Sequence, residues 1–332
     1  MLDFCVAIRT YNGEKHLPEI LDALRSQQGL DSVTWEVLVV DNGSTDRSAD
    51  IIHQYQAQWS AENPLRYCFE PIQGANIARR RAIEEANAPL IGFLDDDNVP
   101  ALGWVRAALT FAQSHPETAA FGSKIQGKFE VAPPPNFDRI AGYLPVVERE
   151  NSVCFTQGTY NLINMLPPGA GLVIRRHVWL KCVPPNLKLK GPVKKSLAFK
   201  GEDLEALMHI KRAGWHIWYN ADMQIYHHIA QQRFDRMYLR QFFRGIGLGR
   251  YHTRTVGCTV WQKPLIAAAY LVNDFRKMAS HWLKHHDQFA SDVVLASEFE
   301  LYRSSLLSPF YSLWQWLFRK QPILDSVPKQ LD

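Results

Sequence analysis

Three carboxylates in a row close an apolar run in IGFLDDDNVP, residues 91–100: Asp95, Asp96 and Asp97 follow Ile91 to Leu94. Like charges placed side by side repel, and each carboxylate loses hydration as it nears a protein interior. A cation removes both costs, and an all-oxygen ligand set suits a hard divalent ion, Mg2+ or Mn2+. On an extended backbone alternate side chains share a face, so Asp95 and Asp97 are expected to point together and Asp96 away. The same residues also read as a polar turn ending a strand, with Asn98 and Pro100 as turn formers. A further acid, Asp41, closes WEVLVVD and precedes NGSTD. A carboxylate there can accept hydrogen bonds from a ribose or a base N–H, or simply flank a turn.

The elements that must position these acids alternate. FCVAIR (4–9), WEVLVVD (35–41), LRYCFE (65–70) and PLIGFLD (89–95) read as strands. Between them lie a helix over 14–28, with Leu17, Ile20, Leu21 and Leu24 at helical spacing and Pro18 in its first turn, a helix through Ile51, Ile52 and Tyr55, and GANIARRRAIEEAN as a third. This rhythm predicts an α/β fold with a mostly parallel sheet and helices on both faces. Ligands of such sheets sit beyond the carboxyl ends of the strands, where Thr10, Asp41 and Asp95 to Asp97 all fall. From about Lys124 to Pro168 the regular pattern is expected to lapse into loops, with a strand resuming at GLVIRR. A basic, mobile loop is expected over 183–200, then a helix from Asp203 to Gly214, two short strands in HIWYN and MQIYHH, and helices from Gln231 onward. The domain division this suggests is 1–230 and 231–332.

The totals narrow the function classes. The chain has 332 residues, 46% of them hydrophobic, which excludes disorder. A net charge of +4 is too mild to argue for nucleic acid, and none is expected as a partner. Five scattered cysteines without a CxxC pair suggest neither a zinc site nor a disulfide framework, and point to a reducing, cytoplasmic setting. No signal peptide and no spanning segment are expected. The first strand runs into RTYNGEKH, so both the G-x-G-x-x-G dinucleotide fingerprint and a P-loop are missing.

Taken in order, VAIRTYNGEKHLPEILDAL, EVLVVDNGSTDRSADII, GANIARRRAI, FLDDDNVP, GAGLVIRR and GEDLEALMHIKRAGWHIWY resemble the family 2 glycosyltransferases over roughly residues 3–230. The combination of GANIARRR, IYHH and the RFDR…FFRGIGLGR tail is most similar to bacterial polysaccharide-biosynthesis enzymes, the hormogonium-polysaccharide transferases among them. The resemblance implies a GT-A fold, Rossmann-like, with a helical C-terminal region, and generally inversion at the anomeric carbon. It implies that Thr10, Tyr11, Asn12 and Glu14 line the nucleobase and ribose site, and that Asp41 contacts the base. Arg79 would lie near the donor diphosphate, with Asp96 and Glu202 also at the nucleotide sugar. Asp95 and Asp97 match the Asp-x-Asp pair, which binds donor and metal. Asp203 matches the catalytic base, and His227, or His228 if the register slips by one, a histidine near the metal. Arg9 and Arg80 depart from the family pattern.

The chemistry follows from those types. A departing diphosphate builds negative charge, which a divalent ion (Mn2+ or Mg2+) and an arginine fork can offset. The attacking hydroxyl must lose a proton, which a carboxylate in reach can take. A nucleotide-sugar donor, with UDP as the default base, and a glycan or lipid-linked acceptor are the expected partners. Each residue also has an ordinary alternative: Asp203 as a helix cap, ARRR as a solvated helix face, the histidines as strand-end residues. A nucleotide-sugar-binding protein without catalysis would not need Asp203, and a sugar nucleotidyltransferase would carry a glycine-rich loop after the first strand. The C-terminal aromatics, Phe310, Trp314, Trp316 and Phe318 before Arg319 and Lys320, fit either a packed helical subdomain or a peripheral membrane contact.

Overall fold

The computed structural model describes residues 2–157, 166–189 and 201–318. Its first half follows the alternating pattern. Strands β1 (Phe4–Thr10), β2 (Trp35–Asp41), β3 (Leu65–Phe69) and β4 (Leu90–Asp95) are joined by helices α1 (Leu17–Arg25), α2 (Ser48–Gln56) and α3 (Ala75–Glu85). After β5 (Asn98–Pro100) come α4 (Trp104–Ser114), β6 (Thr118–Phe129), β7 (Val153–Cys154), β8 (Val173–Arg175), α5 (Arg176–Cys182), α6 (Glu202–Arg212) and β9 (His216–Ile229). Helices α7 (Arg236–Thr255), α8 (Gln262–His285) and α9 (Val293–Phe318) complete the described chain.

All nine described strands form one sheet, ordered β3-β2-β1-β4-β8-β6-β9-β5, with β7 paired to β9. β1 lies parallel to β2 and β4, β2 to β3, and β6 to β9, while β8 is antiparallel to both β4 and β6. The six longer strands therefore run one way and the short β5, β7 and β8 the other. Period-2 alternation sends Val6, Ile8, Val37 and Val39 to one face, against Leu17, Ile20, Leu21 and Leu24 of α1, Ile52 of α2 and Trp104 and Val105 of α4. Cys5, Ala7, Leu38 and Val40 face the other side, against Ala78, Ala82 and Ile83 of α3, Val178 of α5 and Leu207 and Ile210 of α6.

Two expectations are corrected. β6 continues past Lys124 to Phe129, and HIWYN and MQIYHH are one strand, β9. The reason is the same in both. Residues 124–129 of β6 are held by parallel pairing with 224–229 of β9, a hundred residues away, and a register shift after Ser123–Asn220 leaves 221–223 unpaired with β6. Local pattern carries no trace of a partner that distant. Of the irregular stretch, 158–165 lies outside the described residues, as do 190–200 of the basic stretch and with them most of the loop expected there.

A third apolar cluster joins the segment after β6 to the C-terminal helices: Phe137, Ile140 and Leu144 pack with Leu239, Phe242 and Phe243 of α7 and Val294 and Leu301 of α9. The GIGLG stretch of α7 explains how closely α7 and α9 approach. A Cβ on Gly247 would come within 2.8 Å of Ser304 Cβ and 2.9 Å of the Leu301 carbonyl. His252 of α7 sits beside Ser312 of α9, with Nε2 and Oγ 3.4 Å apart. Burial, with lesser help from the charges of Lys188 and Lys263, pulls the His252 pKa down from 6.5 to about 4. The folded state thus favours neutral imidazole. That contribution is full above pH 6.5 and is lost as pH falls through about 4, on the order of 3 kcal/mol for a shift of this size. His252→Gln is expected to flatten the fall of thermal stability between pH 6.5 and 4, measured by unfolding at successive pH values.

Candidate active site

The carboxyl ends of β1, β2 and β4 lie side by side in register: Thr10 pairs with Asp41 across β1 and β2, and Arg9 with Asp95 across β1 and β4. Two loops there are stitched together. Asn12, in a left-handed conformation at φ 57°, accepts from the Thr45 N–H at 2.8 Å and donates its own N–H to Ser44 Oγ at 2.9 Å. Glu14 accepts from the Arg47 N–H, and the Glu14 N–H donates to Asp46. Asn12 and Glu14 therefore shape the crevice by holding the 10–14 loop to NGSTD. Tyr11 is left 44% exposed at its rim. Asp41 is buried, its two oxygens taken by the Ser44 N–H at 2.8 Å and the Tyr67 hydroxyl at 2.9 Å. Burial and the Asp41 carboxylate push the Tyr67 pKa up to about 12, so Tyr67 remains a donor at neutral pH.

The three aspartates divide their roles. β4 ends at Asp95, so Asp96 and Asp97 lie in a turn rather than on an alternating strand. Asp95 pairs with Arg9, which also donates to the Ala75 carbonyl. Asp96 accepts from Thr10 Oγ1 at 2.9 Å and from the Tyr11 N–H at 3.2 Å. Burial, then the charge of Asp97, push its pKa up to about 7. Asp97 accepts from Asn98 Nδ2 on one oxygen. Its other oxygen faces Arg233 Nη2 at 2.8 Å and His227 Nε2 at 3.4 Å. Burial raises the Asp97 pKa, but the hydrogen bond and charge of His227 and the charge of Arg233 outweigh it and bring it to about 2.

Asp203 lies within the first turn of α6, whose cap position is Gly201 at φ 115°. Its side chain does not cap the helix; it pairs with Arg79. The Asp203 side chain is 24% exposed and that of Arg79 only 3%, so Arg79 stands behind the carboxylate as a buried counter-charge. Arg79 also lies over the Phe93 ring, 5.1 Å from its centroid. Burial, then the charge of Arg9, pull the Arg79 pKa down to about 9. Among the described residues, its Nε and Nη2 have no hydrogen-bond partner, which leaves two buried donors available to an anionic group. Gly169 closes over the pair: a Cβ there would collide with both Asp203 and Arg79. Glu202 is buried and accepts from the Gly201 N–H at 3.3 Å. In ARRR, Arg80 and Arg81 reach out to Glu84 and Glu85 on the helix surface.

His227 and Asp97 converge at the same end of the sheet, Nε2 of the one 3.4 Å from an oxygen of the other. His227 Nδ1 donates to the Pro145 carbonyl at 3.1 Å, which orients the ring with Nε2 toward Asp97. An imidazole nitrogen and a carboxylate oxygen are both ligand types that a divalent ion such as Mn2+ accepts. Adjacent corners of an octahedral shell are about 3 Å apart, close to the 3.4 Å observed here. Among the described residues no group of three His, Cys, Asp or Glu side chains gathers for a metal, so the rest of the shell would come from the bound donor and water. Asp95, expected beside Asp97, is instead engaged by Arg9. His228 turns to Glu19, 2.9 Å away.

Sequence reasoning missed Arg233 beside Asp97 and Tyr67 behind Asp41. The available signal was the position of Arg233, five residues after the last residue of IYHH. It also missed Glu205, which accepts the Lys188 and Leu189 N–H groups and anchors the stem of the basic stretch to α6.

Residues 5–165 match the family model for Glycosyl transferase family 2. Among curated proteins, the chain is 29% identical over 119 residues to poly(ribitol-phosphate) beta-N-acetylglucosaminyltransferase TarS of Staphylococcus aureus, covering 35% of this chain and 20% of that protein. It is 25% identical over 214 residues to the uncharacterized glycosyltransferase alr2836 of Nostoc sp., covering 64% of this chain and 55% of that one. These matches span about a fifth to about half of their relatives' lengths. The S. aureus TarS 1–349 structure in complex with UDP-GlcNAc superposes with a TM-score of 0.57 at 17% identity, covering 94% of this chain and 92% of that one. Mannosyltransferase PcManGT from Pyrobaculum calidifontis, in complex with GDP-Man and Mn2+, gives 0.57 at 15% identity, covering 94% and 87%. These likenesses show the GT-A fold.

Proposed function

We propose, on the premise of the glycosyl transferase family 2 match over residues 5–165, that the chain transfers a sugar, with inversion, from a nucleotide-diphosphate sugar to a hydroxyl of a glycan or lipid-linked acceptor in polysaccharide biosynthesis, on the cytoplasmic side. The observation that carries this reading is the pairing of a partly exposed acid with a buried arginine, Asp203 with Arg79, beside an acidic strand-end crevice. TarS and PcManGT, solved with UDP-GlcNAc and with GDP-Man and Mn2+, support a nucleotide-sugar donor.

In this reading the nucleoside lies in the crevice that Thr10, Tyr11 and Asp41 border, its floor fixed by the Asn12 and Glu14 contacts to NGSTD. Arg79 offers its two unpartnered N–H groups toward the anionic donor. Asp97 and His227 hold a divalent ion. Such an ion, when bound, offsets the negative charge that develops on the departing diphosphate. Arg79 orients the Asp203 carboxylate, which takes the proton of the acceptor hydroxyl as the new bond forms on the side of the sugar opposite the diphosphate. A single base with direct displacement inverts the anomeric carbon and needs no covalent intermediate.

Thermal shift with UDP, GDP, dTDP and CMP, each with and without Mn2+, tests the donor half. One nucleoside diphosphate is expected to stabilise the chain, and only when the metal is present. No metal-dependent shift with any of the four overturns the assignment of Asp97 and His227.

A further inference from the structure

Helix α8 presents a face that nothing in the described chain covers. Of its residues only Asp274 and His281 are buried. Trp261 at its cap is 87% exposed, and Leu265, Val272, Phe275 and Trp282 follow it outward. With Ala268 and Ala279 these positions recur at alternating steps of four and three, a single apolar stripe down the helix. α9 runs antiparallel beside α8: His281 lies against the Leu295 carbonyl at 2.9 Å, whereas Leu271 and Asp274 share a small cavity with Ser308 and Pro309. The start of α8 therefore meets the end of α9, where Phe310, Trp314 and Phe318 are more than half exposed. Isolated exposed apolar residues are ordinary; a continuous aromatic face of this extent marks a partner.

Charge identifies the partner. α8 carries Lys263, Arg276, Lys277 and Lys284. Its sole acid, Asp274, is buried and spent on Arg254, with contacts of 2.5 and 2.9 Å. From Ser304 to Phe318, α9 has no charged residue at all. Among the described residues, the next exposed acid along the chain is Asp287, beyond the end of α8. A second copy seated on the stripe would set Arg276, Lys277 and Lys284 against their own duplicates with no acid to answer them. An anionic surface with an apolar interior meets both features: tryptophan and phenylalanine settle at the boundary between headgroups and acyl chains, and lysine and arginine pair with lipid phosphates. No described helix is long and apolar enough to cross a membrane, so the contact lies in the plane of the surface.

We propose that the outer face of α8, with the adjoining end of α9, docks the protein on an anionic lipid bilayer. This gives substance to a lipid-linked acceptor but does not rest on the transfer chemistry, and nucleotide binding by the same variants keeps the two apart. The full chain is floated with vesicles of phosphatidylcholine alone or with phosphatidylglycerol added. It is expected to bind the anionic vesicles more than about tenfold better, and less so as salt rises. Trp261→Ser with Phe275→Ser, and separately Arg276→Glu with Lys277→Glu, are each expected to lose more than about tenfold of that binding while thermal stability and nucleotide binding are kept. Equal partition of the parent chain and the charge-reversed variant overturns the proposal. So does a dimer, seen by light scattering, that Trp261→Ser with Phe275→Ser disperses, because the face would then be occupied by a second copy.

Discussion

Asp203→Asn is expected to lower turnover by about 10²–10⁴-fold while donor affinity stays within about twofold, the range that a positioned general base contributes. The substitution keeps the shape of the side chain and an oxygen toward Arg79, so the loss is of basicity and not of place. Rates come from nucleotide release in the presence of acceptor, and affinity from calorimetry with the intact donor. If affinity falls as far as the rate, Asp203 holds the donor and the base lies elsewhere. Gly169 supplies an independent approach to the same pair. A methyl group at that position must push Asp203 and Arg79 apart. Gly169→Ala is therefore expected to approach the Asp203→Asn defect without altering any titratable group, and the two substitutions combined to cost little more than one alone.

Asp97→Ala is expected to weaken metal-dependent nucleotide binding by more than about 100-fold, because even the outer partners of metal ligands cost 10–100-fold when removed. The measurement is Mn2+ titration in the presence of the nucleotide that the thermal panel selects. Arg233→Ala separates two explanations for a loss. The guanidinium sits on the same Asp97 oxygen that faces His227, so its removal frees the carboxylate. Mn2+ affinity in the absence of nucleotide should then rise. A fall instead would make Arg233 a support for Asp97, not a competitor for it.

Much of this arrangement is legible in the chain because it is local. Each of β1 to β4 is a short apolar run with a turn residue or an acid at its end, and each intervening helix shows its own period. The acids had to emerge at one sheet edge once the strands were parallel. What escaped reading depends on distance. Asp95 and Asp97 stand two residues apart, but Arg9 from β1 draws one away and Arg233, 136 residues beyond Asp97, holds the other. Alternation along a strand could not anticipate either, because the strand stops at Asp95. The same holds for β6 and β9, whose outer halves exist only through each other. Asp203 was legible as an acid opening a helix, but that its side chain pairs with Arg79 and does not cap that helix was not.

The third apolar cluster has a consequence for how the protein is made. Phe137, Ile140 and Leu144 emerge from the ribosome long before Leu239, Phe243 and Leu301, the residues that cover them. At 5–20 residues per second the interval is on the order of ten seconds. During that time the nascent catalytic half carries an open apolar seam, and its completion waits on the last described helix. Translation speed across residues 240–300, and the chaperones that meet the chain there, thus bear directly on how much of it reaches the active form.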